Sequence, residues 1–83
     1  MKERIIKLIG NSLDELNLTI DDVVLEKEGN VTYLRIVLDS NEIIDMDKVT
    51  EATRIINPLL DKDDIINDVD YLDIYGKSKG SEE

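Results

Sequence analysis

The sequence predicts an α+β fold in the order α-β-β-α-β, a three-stranded sheet with two helices packed on one face. Three observations predict it. Residues 31–39, Val-Thr-Tyr-Leu-Arg-Ile-Val-Leu-Asp, are the longest run of β-branched and aromatic residues in the chain. They follow a Gly29-Asn30 pair suited to a two-residue turn, with a compatible shorter run before it. On either side lies a stretch with apolar residues three and four apart, the spacing of a helix that must cover an apolar face.

The first helix is predicted over residues 2–17. Ile5, Ile6, Ile9, Leu13 and Leu16 make its apolar stripe, and Lys2, Glu3, Lys7, Asn11, Asp14 and Glu15 its polar side. Gly10 falls within the pattern, at a cost of about 1 kcal/mol against alanine in a helix interior. Asn17 is the expected stop, and residues 18–21 lead into the first strand.

The hairpin joins strands over residues 22–28 and 31–39. A two-residue turn at Gly29-Asn30 sets Glu28 against Val31, Leu25 against Leu34 and Val23 against Ile36. One face then carries Val23, Leu25, Leu34, Ile36 and Leu38 toward the helices. The other carries Asp22, Val24, Glu26, Val31, Tyr33, Arg35 and Val37. On that second face Arg35 lies opposite Val24 and diagonal to Asp22 and Glu26, in reach of a cross-strand ion pair.

Residues 40–44 read as a loop. Asp45 caps a second helix and Asp47 adds negative charge to its first turn. Met46, Val49, Ala52, Thr53, Ile56 and Leu60 supply the spacing, widened by Ile55 and Leu59. Pro58 is expected to kink this helix or stop it near Asn57. An acidic connector, residues 61–70, follows, with Ile65 and Ile66 expected to close the core. Residues 71–75, Tyr-Leu-Asp-Ile-Tyr, alternate strictly and make the third strand, with Leu72 and Ile74 inward and Tyr71 and Tyr75 outward. Its partner strand is left open. Residues 1–76 read as one domain and residues 77–83 as a polar, disordered tail.

Composition narrows the function classes. The chain has 83 residues, 41% of them apolar, with no Phe or Trp and three Tyr, so Ile, Leu and Val must build the core. No run approaches the about 18 apolar residues of a membrane span, and the charged start lacks the apolar core of a signal peptide. Absence of Cys fits a cytoplasmic protein. Without Cys and His the usual zinc, copper, haem and iron–sulfur ligand sets are excluded, and no cofactor is expected. Twenty acidic against ten basic residues give a net charge of −10. That field repels the phosphate backbone of DNA and favours basic partners, and it also serves solubility alone.

Catalytic readings fail on specific grounds. From Asp61 and Asp63 the third position of a calcium loop is Ile65 and its glycine position Ile66; from Asp39 and Asn41 the third position is Ile43. Gly-rich phosphate loops and His- or Cys-based triads are absent, and a sheet with two helices leaves paired carboxylates no pocket that would shift their pKa values. Ser12-Leu13-Asp14-Glu15-Leu16 is similar to the attachment site of acyl carrier proteins. There, however, the modified serine follows an aspartate and opens the second helix of an all-helical bundle, whereas Ser12 follows Asn11 in a chain with three strands. The chain is not read as an enzyme.

The open sheet face collects all three tyrosines, Tyr33, Tyr71 and Tyr75, beside Arg35 and Val37, with Asp39 at the strand end. Tyrosine and arginine on a solvated face are what interface hot spots are made of, and an open antiparallel face also carries a few such residues as a matter of course. The candidate partner-binding residues are therefore Tyr33, Arg35, Val37, Asp39, Tyr71 and Tyr75.

Four segments in order carry a family resemblance. They are residues 33–39 (Tyr-Leu-Arg-Ile-Val-Leu-Asp), then Ile44-Asp45-Met46-Asp47 with Val49 and Thr53-Arg54, then Leu60-Asp61 with Asp63 or Asp64, and lastly Tyr71-Leu72-Asp73-Ile74. Over roughly residues 3–75 the chain resembles the N-terminal domain of the bacterial RimP family of ribosome maturation factors. The resemblance implies the α-β-β-α-β order and a non-enzymatic role in maturation of the small (30S) ribosomal subunit. It also implies a basic ribosomal protein near the decoding centre as partner. The family continues its third strand into Ser-Ser-Pro-Gly, where this chain has Tyr75-Gly76-Lys77-Ser78-Lys79-Gly80, and a second, SH3-like barrel is not matched. The altered joint favours a short family member over a cut piece. Two other readings stay open: an acidic interaction module that docks a partner or pairs two copies through the tyrosine face, and a carrier or enzyme.

Overall fold

The computed structural model describes residues 2–77, except for the side chains of Ile65 and Ile66, so their expected place in the core lies outside the described residues. The elements run α1 (Lys2–Ile9), β1 (Thr19–Glu28), β2 (Val31–Asp39), α2 (Met46–Lys62) and β3 (Tyr71–Gly76), with 3-10 turns at Asp14–Leu16 and Ile65–Asp68. This is the α-β-β-α-β order, with a mixed sheet in the order β1-β2-β3. The β1–β2 pair is antiparallel and β2–β3 parallel, so α2 is the crossover of a β-α-β unit.

The first helix is shorter than its periodicity predicts. It ends at Ile9 because Gly10 adopts φ 54°, a left-handed conformation that terminates a helix, with its N–H donating to Ile6 O at 2.8 Å. Glycine enters that region without the steric cost of a Cβ. Ser12 therefore lies in a turn and not inside a helix, and Leu13 reaches the core from that turn. Asn17, at φ 58°, stops the 3-10 turn, and its N–H donates to Asp14 O. The buried stripe of α1 is Ile5 and Ile9 with Leu8 beside them, while Ile6 points to solvent.

The hairpin keeps the register set by its turn from Glu28↔Val31 to Asp22↔Val37, with Gly29 at φ 62° in the first turn position. Beyond Asp22 it slips by one: Ile20 faces Leu38, with a bulge at Asp21 between. Unbroken register would press Asp21 against Leu38 on the core face. The extra residue brings Ile20 there instead and sends the carboxylate out. Strand β1 thus starts at Thr19, three residues earlier than the apolar run suggests. Leu25, expected inside, is 47% exposed, because it sits toward the hairpin end of the outermost strand.

Helix α2 opens as predicted: Asp45 Oδ1 accepts a hydrogen bond from Lys48 N–H at 2.9 Å. It does not stop at Asn57 but runs through Pro58 to Lys62. Pro58 and Arg54 are both exposed, so the Arg54 carbonyl that loses its helical partner faces water, where the loss is mild. Met46 is exposed, since the first residue of the helix stands off its end. The core is one cluster, Ile5, Ile9, Leu13, Leu18, Val23, Leu34, Ile36, Leu38, Ala52, Ile56 and Leu60, with Leu72 and Ile74 packed against it. Both helices therefore cover the same face of the sheet. Of the predicted tail, residues 78–83 lie outside the described residues. Lys77 is described: its N–H donates to Leu38 O at 2.7 Å and its Nζ to Asp21 at 3.2 Å. Among the described residues no helix is long and apolar enough to cross a membrane.

Candidate functional site

The sheet has one face under the helices and one without a covering element among the described residues, and side-chain alternation decides what the second face carries. On β2 it is Val31, Tyr33, Arg35, Val37 and Asp39. The parallel register sets Tyr33 beside Tyr71, Arg35 beside Asp73 and Val37 beside Tyr75, so β3 delivers its two tyrosines and an aspartate to the same face. The antiparallel register adds Glu26 beside Tyr33 and Val24 beside Arg35.

Tyr33 and Tyr71 stack, with ring centroids 5.3 Å apart and planes inclined by 18°. The Arg35 guanidinium lies 5.6 Å from the Tyr33 ring centroid. Arg35 is ion-paired with Glu26 and, more distantly, with Asp73 through Nε at 3.9 Å. Tyr71 is 60% and Tyr75 42% exposed, while Tyr33, Arg35 and Val37 are half-buried. The result is an aromatic step with one cation held between two acids.

The cross-strand pair of Arg35 with Glu26 forms as expected; that with Asp22 does not. Asp22 is taken instead by Lys2 of α1, whose Nζ lies 2.7 Å from its Oδ1. The hydrogen bond from Lys2, and then the Val23 N–H, hold the Asp22 carboxyl below the usual aspartate range, and the same bond raises Lys2. Arg4 is raised in the same way by its hydrogen bond to Asp63, 2.8 Å away. Asp39 stands at the rim of the face, where its Oδ1 accepts from Ser40 N–H at 2.8 Å and shapes the turn into the following loop. Asp73 is the residue sequence reasoning missed. Its place beside Arg35 depends on β3 lying parallel to β2, which the strand-helix-strand order of β2, α2 and β3 signals.

A cleft of about 420 Å³ lies elsewhere, lined by Asp14, Asn17, Leu18, Thr19, Asn41 and Glu42. Its lining carries two acids, Asp14 and Glu42, and Lys48 lies at its border, with Nζ donating to Leu16 O at 2.8 Å and 4.0 Å from Glu42. Among the described residues no group of three His, Cys, Asp or Glu side chains is placed to hold a metal ion. What the uncovered face can do chemically is bind: stack flat groups on tyrosine and attract cations.

The sequence model of the RimP N-terminal domain matches residues 8–74 of the chain.

Proposed function

The chain belongs to the RimP N-terminal domain family, a family of non-enzymatic ribosome maturation factors, and on that premise we propose that it is an assembly cofactor of the small ribosomal subunit acting through protein contacts. The family match over residues 8–74 carries this reading. The partner is a basic ribosomal protein or the immature 30S subunit that presents one. It docks on Tyr33, Arg35, Val37, Tyr71 and Tyr75, with Asp39 at the rim, and the work is done in the cytoplasm.

Two physical features support that assignment of the face. First, a net charge of −10 attracts a Lys/Arg-rich protein and speeds its encounter. Second, Arg35, the cation beside the tyrosines, is already paired with Glu26 and Asp73, so the local field stays negative where the tyrosines are exposed. Exposed tyrosines beside half-buried valine give contact area at low entropic cost, because a tyrosine fixes only two side-chain torsions.

Sucrose-gradient fractionation of cells tests the reading. The protein is expected in the fractions holding free small subunits, and its absence from them would sink the ribosome assignment. Self-association at the tyrosine face would show instead as a concentration-dependent doubling of mass in sedimentation of the purified chain.

A further inference from the structure

The two edges of the sheet are not alike. The β1 edge is interrupted by the bulge at Asp21, carries charge at Asp21, Asp22, Glu26, Lys27 and Glu28, and is tied to α1 by Lys2–Asp22. These are the devices by which proteins protect an edge from pairing. The β3 edge has fewer of them: Tyr71–Gly76 is unbulged, contains neither proline nor lysine, alternates strictly, and carries a single charge, Asp73.

The register shows which backbone groups that edge offers. In a parallel ladder alternate residues turn both N–H and C=O toward the neighbouring strand. Lys77 N–H donates to Leu38 O, so the set facing β2 is Tyr71, Asp73, Tyr75 and Lys77. Leu72, Ile74 and Gly76 then point their backbone groups away from the sheet. Among the described residues no other strand pairs with them.

From this we propose that the β3 edge accepts an extended basic segment of a partner protein as a fourth strand, paired to Leu72, Ile74 and Gly76. Side chains of such a strand on the helix-covered side lie beside Leu72 and Ile74, which favours apolar residues. Those on the open side lie beside Tyr71, Asp73 and Tyr75. There Asp73, 68% exposed and the more distant of the two acids around Arg35, favours lysine or arginine. The fitting segment alternates apolar and basic residues. A second copy of this chain fits poorly. Two-fold pairing centred on Asp73 opposes two carboxylates, and every register brings together two chains of charge −10. The mode of binding rests on the sheet alone; that the segment belongs to a ribosomal protein rests on the function proposed above.

The test uses the full chain and a capped peptide of about eight residues alternating valine and lysine, long enough to span the edge. Its controls are the same peptide with glutamate for lysine, and the same peptide N-methylated throughout. Saturation with the lysine peptide is expected to slow amide hydrogen exchange at Leu72, Ile74 and Gly76 by about tenfold or more, while β1 amides are unaffected. The glutamate and N-methylated peptides are expected to bind at least about tenfold more weakly, having lost the charge match and the strand donors respectively. Unchanged exchange at these three amides, protection appearing at β1, or equal binding of the N-methylated peptide would each overturn strand addition. Equal binding of the glutamate peptide would overturn the basic occupant. Co-fractionation with small subunits is independent of all four outcomes, so failure here and failure of the ribosome assignment are told apart.

Discussion

Tyr33 and Tyr71 lie directly opposite each other in the parallel β2–β3 register, and their rings stack at 5.3 Å. The pair joins the centre of the sheet to its last strand on the side the helices do not cover, the face proposed above as the contact surface. A double-mutant cycle with Tyr33→Leu and Tyr71→Leu in urea unfolding should give a coupling of about 0.5–1.5 kcal/mol, toward the lower end because Tyr71 is largely exposed. A coupling indistinguishable from zero would mean the stack does not hold in solution.

Gly10 gives a prediction whose sign separates two accounts. If helix α1 continued through it, Gly10→Ala would stabilise the protein by about 1 kcal/mol, the ordinary helix preference. With Gly10 at φ 54° closing the helix, alanine must adopt a left-handed conformation and should destabilise by about 1–2 kcal/mol. Chemical denaturation of the single variant distinguishes the two.

The cap of α2 rests on one acceptor, Asp45, whose side chain bonds the Lys48 N–H. Asp45→Ala should cost about 0.5–2 kcal/mol and Asp45→Asn much less, since asparagine keeps an acceptor oxygen. Thermal unfolding of both variants checks the ranking. An equal loss in the two would point to charge and not to the hydrogen bond.

Lys2 and Asp22 form a pH-dependent tie between α1 and β1. The Asp22 carboxyl is lowered in the folded state, chiefly by the hydrogen bond from Lys2. Its contribution is therefore present above the ordinary aspartate value, about pH 4, and lost as pH falls through the lower folded value. Lys2 is raised, so its contribution is complete below the ordinary lysine value, about pH 10, and fades as pH climbs through the folded one. In Lys2→Met the Asp22 midpoint should move up toward the ordinary value in a carboxyl-carbon NMR titration. An unmoved midpoint would show that the Val23 N–H alone sets it.

Much of this architecture was legible in the chain because the relevant signals are local. The Gly29-Asn30 turn fixes the register from Val31 to Val37, and Asp45 marks a helix start through its own acceptor. What escaped is where an element's fate depends on something beyond its own pattern. Apolar spacing runs through Gly10 into Leu13 and Leu16, yet backbone conformation at one residue ends the helix, and the later leucines reach the same core from a turn. Pro58 signals a break, but one lost hydrogen bond on the wet side of a well-packed helix is not enough to end it. The bulge at Asp21 follows from keeping a carboxylate off Leu38, which shows only when both strands are laid side by side. At the candidate site, the tyrosines and Arg35 were readable from alternation, whereas Asp73 became a partner of Arg35 only through the parallel placement of β3.

The central claim, a maturation factor that docks a small-subunit protein on its tyrosine face, is tested most directly by one binding comparison. Purified wild-type chain and a Tyr33→Ser/Tyr71→Ser variant, the latter checked for folding by circular dichroism, are sedimented with immature small subunits. Wild type should travel with the subunits, and the folded variant should stay at the top of the gradient. A folded variant that travels with the subunits as fully as wild type would contradict the assignment of that face.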